Sequence, residues 1–266
     1  SRAQPEGVSP LTSTVSASGP ADAADAGHEV PRRPASAHGS WYWRWKPSSV
    51  TLKLVMALTG IVFALFVAVH MVGNLKVYTG AEHFDAYAHW LRTLLEPLLP
   101  YEGALWIFRT VLSVCLVAHV GAAVVLTARA HRARGRFRRT GMRRFSSFTA
   151  RTMLVSGLVL LLFIVFHILD LTVGARPAGS AEFEPGHAYA NLVASFSRPA
   201  VAMFYLLAMA VLGAHLGHGL WTAVQDLGIT GRRIRQVCAA VGGLLAMAVM
   251  VGNMTIPIAV WLGILR

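Results

Sequence analysis

Four histidines recur at nearly constant spacing through the apolar part of the chain. His70, His119, His167 and His215 are separated by 49, 48 and 48 residues, and each lies in a different apolar stretch. An imidazole is costly to place in hydrocarbon, so ionisable residues within membrane spans usually serve a function. A neutral imidazole is also a common ligand of transition metals. The pattern therefore predicts metal or proton chemistry inside a membrane.

The heights of the histidines along their helices separate them into two levels. At a rise of ~1.5 Å per residue, His70 and His167 lie ~24–27 Å from the cytoplasmic boundary, and His119 and His215 lie ~13 Å from it. Alternate helices of an antiparallel four-helix bundle are diagonal and face each other across the core. Each level thus presents two opposed imidazoles, the ligand set of a bis-histidine haem b. We expect two haems and take these four histidines as the iron ligands.

Small residues beside the histidines would make room for a flat macrocycle. Gly73 is near His70, Gly217 is near His215, and Gly157 lies in the half of its helix that a second macrocycle would pass. Glycine permits the close approach of a ligand, so we predict that all three contact cofactor. His218, one turn beyond His215, is a further candidate for contact with a haem propionate or a quinone, or it reaches the membrane interface.

Composition supports membrane-spanning helices as the elements that carry these residues. Of 266 residues, 55% are hydrophobic and 14% are charged, against about 25% charged in soluble proteins. The sequence predicts an all-α membrane protein whose first four transmembrane helices form an antiparallel bundle around the haem sites. Five stretches are long enough to cross a bilayer, at about 50–75, 102–128, 150–173, 199–224 and 234–262.

The chain divides into a tail and a membrane domain. Residues 1–46 are predicted to be a disordered cytoplasmic tail, because they are polar and poor in aromatic residues, and residues 47–266 form the five-helix domain. Ser48 or Ser49 can cap the first helix, and an amphipathic run in 77–100 is expected to lie along the surface. No connection exceeds about 30 residues, far short of the roughly 100–150 of a typical catalytic domain.

The formal charge of +12 reflects membrane topology rather than nucleic-acid binding. Of 24 Lys and Arg residues, 18 lie in 1–53, 129–151 and 232–235, which alternation of the helices brings to one side. An excess of cations in short loops marks the cytoplasmic side. We therefore expect a multi-pass plasma-membrane protein with a cytoplasmic N-terminus and an external C-terminus.

Two other assignments of the buried residues stay open. Cys115 and Cys238 with two histidines could supply a Rieske-type [2Fe–2S] centre in place of the inner haem, although their depths differ by ~10 Å on the helical rise. Histidines could instead form a proton relay or a transport path, which favours buried mid-helix acids or broken helices. The acid nearest to that description is Asp170, close to an outer helix end.

The same residues resemble a known family. The sequence is similar to the single-chain, five-helix, dihaem cytochrome b anchor of succinate dehydrogenase and fumarate reductase over roughly residues 50–262. The matching segments are Val69–Asn74 (VHMVGN), Ala81–Asp85 (AEHFD), Leu105–Phe108 (LWIF), Gly157–His167 and His215–Trp221 (HLGHGLW).

The resemblance implies a role in a respiratory complex of the tricarboxylic acid cycle. It implies that His70 pairs with His167 at an outer haem and that His119 pairs with His215 at an inner haem. It further implies that a flavoprotein and an iron–sulfur subunit dock on the cytoplasmic face, and that electrons pass between the iron–sulfur subunit and membrane quinone. The chain would then have no catalytic activity by itself.

Overall fold

Seven α-helices build the part of the protein that the computed structural model describes, residues 47–134 and 144–266. The predicted tail, 1–46, lies outside the described residues. In chain order the helices are α1 (Ser49–Leu75), α2 (Ala81–Arg92), α3 (Gly103–Arg134), α4 (Arg144–His167), α5 (Ala188–Phe196), α6 (Pro199–Asp226) and α7 (Arg232–Trp261). A 3₁₀ turn, Lys76–Thr79, follows α1, and a π-helical turn, Ile168–Val173, continues α4.

Five of these helices are long and apolar enough to cross a membrane, which confirms the predicted all-α, five-span architecture. They are α1, α3, α4 with its π turn, α6 and α7. Large apolar side chains cover their outer surfaces, among them Val69, Val117 and Leu244. Such apolar surfaces suit contact with lipid. A helix can also cross the bilayer because it satisfies its backbone hydrogen bonds internally.

Local chemistry accounts for where several helices begin and end. The Ser48 side chain accepts a hydrogen bond from the Thr51 backbone N–H, so the predicted cap of the first helix is confirmed. Pro199 occupies the first turn of α6, where its missing N–H leaves no bond unmade. Gly174 ends the π turn at φ 68°, and a Cβ there would collide with the Phe183 ring.

The first four spans are antiparallel neighbours in the order α3, α1, α6, α4. Arg129 near the end of α3 donates to the Pro47 carbonyl at the start of α1, 2.8 Å away. Lys53 in the first turn of α1 pairs with Asp226 at the end of α6 at 3.2 Å. Extensive contacts are absent between α1 and α4, between α3 and α6, and between α3 and α4 in the described ranges. The order α3, α1, α6, α4 makes α1 with α4, and α3 with α6, the alternate pairs of the bundle, called here its diagonals.

The fifth span, α7, packs against α6 and α1. Small residues bring the backbones together: a Cβ on Gly213 would lie 2.8 Å from the Met250 sulfur. Asn74 of α1 donates to the Asn253 side chain of α7 at 3.0 Å. Helix α7 thus packs on the side of the bundle formed by α1 and α6, and the four histidines lie on the other four spans.

Two short helices cover the end of the bundle where α1 ends, called here the outer side. The Tyr189 backbone N–H of α5 donates to the Asp85 carboxylate of α2 at 2.9 Å. Helix α2 is the predicted amphipathic run, whereas α5 was not predicted. The opposite end, where α1 begins, is called the inner side.

Candidate functional site

The outer pair of histidines meets in the bundle interior. The rings of His70 on α1 and His167 on α4 have centroids 5.9 Å apart and planes at 83°. Two metal–imidazole bonds of about 2 Å on opposite sides of one ion place the ring centres roughly 6 Å apart. Their separation therefore suits two axial ligands of one iron.

An aromatic ring stacks on each outer histidine from one turn earlier in its own helix. Phe66 lies 5.3 Å from His70 with planes at 14°, and Phe163 lies 5.7 Å from His167 with planes at 28°. Since residues four apart share a helix face, both phenyl rings line the same interior as the imidazoles. They give the outer level an apolar wall.

A polar chain connects His167 to a buried carboxylate on the outer side. Nδ1 of His167 lies 3.3 Å from the Tyr205 hydroxyl, which donates to Asp170 Oδ2 at 2.9 Å. Asp170 also accepts from Ser195 at 2.5 Å and from Arg198 at 2.6 Å. The residue is only 1% exposed. A charge so buried is tolerable because an ion pair and hydrogen bonds satisfy its oxygens.

Hydroxyl groups hold the inner pair. The Thr59 hydroxyl of α1 lies 2.9 Å from His119 Nδ1 on α3, and the Ser156 hydroxyl of α4 lies 2.8 Å from His215 Nδ1 on α6. A Cβ on the adjacent Gly60 or Gly157 would lie 3.5 Å from the Cε1 atom of the same histidine. The Nδ1–Cε1 edge of each imidazole therefore faces a hydroxyl residue and the glycine that follows it on the neighbouring helix.

The two histidine levels are well separated. Thr59 and Ser156 each precede the outer histidine of their own helix by eleven residues, which is about 16 Å at the helical rise. His215 lies within electrostatic range of both His119 and His218. The inner and outer pairs thus occupy different heights on the two diagonals of the bundle.

The other predicted cofactor contacts have other described neighbours. A Cβ on Gly73 would meet the Tyr87 hydroxyl of α2 at 2.6 Å, and one on Gly217 would meet Ala246 of α7 at 3.6 Å. Both glycines therefore serve helix packing, and their contact with a macrocycle stays a prediction. His218 is half-buried, and its carbonyl accepts from Thr222 at 3.0 Å.

The described residues do not assemble the ligands of the alternative iron–sulfur centre. Cys115 and Cys238 are both free thiols of intermediate exposure. Within 47–134 and 144–266 no group of three or more His, Cys, Asp or Glu side chains could hold a metal ion. A bis-histidine haem needs only two protein ligands, because the porphyrin supplies the other four. The described residues thus present the histidine pair that a haem requires, whereas Cys115 and Cys238 are not grouped with the histidines.

Several residues of the site were not predicted from the sequence, namely Thr59, Ser156, Tyr205, Asp170 in its paired role, Ser195 and Arg198. One signal could have revealed two of them. Thr59-Gly60 and Ser156-Gly157 are 97 residues apart, as are Phe66 and Phe163, and His70 and His167. This repeat marks α1 and α4 as equivalent helices.

A comparison with known proteins identifies a relative of the chain. The chain is 26% identical over 175 residues to the succinate dehydrogenase cytochrome b558 subunit of Bacillus subtilis (strain 168), covering 65% of this chain and 78% of that protein. No family model matches the sequence, and no solved structure matches it significantly. The similarity confirms the resemblance found in the sequence.

Proposed function

We propose that this chain is the cytochrome b membrane anchor of a succinate:quinone or fumarate:quinone oxidoreductase. The observation that carries the proposal is the pair of histidine levels on the diagonals of the bundle, with His70 and His167 at 5.9 Å. The similarity to a succinate dehydrogenase cytochrome b558 subunit supports it. In this role the chain links a cytoplasmic iron–sulfur subunit to membrane quinone.

The four histidines are the residues that would hold two haems b. His70 and His167 hold the outer group, and His119 and His215 hold the inner one. Bound haem supplies one-electron oxidation and reduction. The chain's own residues supply the imidazole nitrogens, orient them through Thr59, Ser156 and Tyr205, and exclude water with apolar helix faces.

The partners are assigned to the inner side of the bundle. No connection in the sequence is long enough to form a flavin- or dicarboxylate-binding domain, so we assign no catalytic activity to the chain alone. On the inner side α3 ends at Arg134, α4 begins at Arg144 and α7 begins at Arg232, and the sequence over 129–144 and 232–235 is rich in arginine. We assign a flavoprotein and an iron–sulfur subunit to this cytoplasmic face, with the N-terminus on the same side.

The test of this proposal is the haem content of the purified complex. A pyridine haemochrome assay is expected to give two haems b per copy of this chain, and low-temperature spectra are expected to show two low-spin centres. A complex that oxidises succinate without any haem would contradict the proposal. A single haem would restrict it to one level.

A further inference from the structure

The hydroxyl group beside each inner histidine also contacts a backbone carbonyl of its own helix. Thr59 Oγ1 lies 2.6 Å from the Val55 carbonyl, 3.3 Å from the Met56 carbonyl and 2.9 Å from His119 Nδ1. Ser156 Oγ lies 3.0 Å from the Met153 carbonyl and 2.8 Å from His215 Nδ1. A carbonyl can only accept, so a hydroxyl that bonds to it uses its single hydrogen there.

The contacts around each hydroxyl favour one state of both imidazoles. A hydroxyl has one hydrogen and two acceptor lone pairs, and a hydrogen that goes to Nδ1 leaves the carbonyl without its bond. A hydrogen that goes to the carbonyl allows both bonds, with Nδ1–H as the donor to the hydroxyl oxygen. In a neutral imidazole the lone pair then resides on Nε2, the nitrogen left free for a metal.

We propose that Thr59 and Ser156 are positioning residues that hold His119 and His215 in the Nδ1–H tautomer, with Nε2 presented to iron. The inference rests on the proposed function, which assigns these two histidines to the inner haem. It adds that the orientation and basicity of both ligands are set from the neighbouring helices. Metal-bound histidines generally need such a partner on the second nitrogen.

The repeat in the sequence indicates that the two hydroxyl–histidine contacts are equivalent and not coincidental. Thr59 and Ser156 stand at equivalent positions 97 residues apart, each followed by glycine. His119 and His215 stand 96 residues apart. A hydroxyl residue thus contacts the same ring nitrogen of each inner imidazole, and the two hydroxyl residues come from equivalent helices.

Other residues contact the outer pair, so the effect of Thr59 and Ser156 should be confined to the inner level. His167 contacts Tyr205, whose hydrogen goes to the Asp170 carboxylate. Phe66 stacks on His70 at 5.3 Å. Loss of the Thr59 or Ser156 hydroxyl should therefore alter the inner haem and leave the outer haem unchanged.

The experiment uses Thr59→Val, Ser156→Ala and the double variant in the purified complex. The readouts are the midpoint potential of each haem by redox titration and the g-values of each ferric haem by electron paramagnetic resonance. An Nδ1–H that donates a hydrogen bond makes Nε2 more basic and stabilises ferric iron. We expect the inner-haem potential to shift upward and its g-values to change, more in the double variant, while the outer haem keeps its native values.

Two further variants separate positioning from packing. Thr110→Val is the matched control, because Thr110 on α3 donates only to the Trp106 carbonyl of its own helix at 2.8 Å; both haems should remain native. Thr59→Ser keeps the hydroxyl and should restore the native potential even if Thr59→Val loses the inner haem. A Thr59→Ser variant that behaves as Thr59→Val would show a steric role and overturn the inference.

Native inner-haem values in both Thr59→Val and Ser156→Ala would also overturn it, with the proposed function intact. The absence of an inner haem from the native complex is a different result, because it removes the proposed function of this level and the inference with it. Haem content of the native complex therefore distinguishes the two failures.

Discussion

At the scale of residues, each level of the site should depend on its own pair of histidines. Replacing His119 by Ala removes an inner ligand, and replacing His167 by Ala removes an outer one. Since about 16 Å separates the levels on the helical rise, each variant should retain one of two haems, and the retained haem should differ between them. Haem assay together with redox titration of the complex measures both quantities.

His131→Ala is the control for this pair of variants. His131 lies exposed near the end of α3, beyond the inner level, so the complex should keep both haems. If His119→Ala and His167→Ala lose the same haem, the assignment of two separate levels is wrong. If neither loses haem, these histidines are not iron ligands.

At the scale of elements, Asp170 fastens the π turn after α4 to α5 and α6. Its buried carboxylate accepts from Ser195, Arg198 and Tyr205. These three donors explain the buried acid as a tether between helices, without a transport role. Its place beside His167 also joins the outer level of the site to the helices that cover it.

Removal of this tether should destabilise the protein. Breaking a buried ion pair costs about 3–5 kcal/mol; because the Arg198 side chain is 31% exposed, Asp170→Ala should cost about 2–3 kcal/mol. The control is Asp226→Ala, which removes a pair whose Lys53 side chain is 55% exposed and should cost less than about 1 kcal/mol. Thermal unfolding in detergent compares them, and equal melting temperatures would contradict the tether.

The five spans were predictable because hydropathy over about 20 residues decides which segments enter a bilayer. Their ends were less predictable. Helix α3 runs to Arg134 and α4 begins at Arg144, beyond the expected 128 and 150. The extension of α3 is rich in arginine and alanine, which favour helix in water as well. The nine-residue helix α5 and the π turn have no comparable local signal.

For the candidate site, the histidine levels could also be predicted from the sequence, whereas the residues that contact the histidines could not. The spacing of the histidines along their helices is enough to predict that His70 and His167 share one level. Their polar partners were not predicted, because a serine or threonine within a helix usually bonds to its own backbone carbonyl. Only tertiary packing shows that Thr59 and Ser156 also meet a histidine of the next helix.

At the scale of the whole molecule, the bundle is built from two similar halves and one additional span. The first half places its site residues on α1 and α3, and the second half places equivalent residues on α4 and α6. Each half contains two spans, so both halves run in the same direction through the membrane. The opposed histidines of each level therefore come from different halves, and neither half can form a complete site.

Because α7 crosses the membrane, its two ends should lie on opposite sides, and this makes the membrane orientation testable. Arg232 and Arg233 lie exposed in the first turn of α7. Moving such charges through the bilayer centre costs about 2.5–3.5 kcal/mol each, so they should stay in the cytoplasm while α7 carries the C-terminus outside. Alkaline phosphatase, which is active only outside the cytoplasm, reports the location when it is fused after Gly228 or after Arg266. We expect activity from the Arg266 fusion and none from the Gly228 fusion. The reverse pattern would show that the protein has the opposite orientation, with the proposed subunit-docking face outside the cytoplasm.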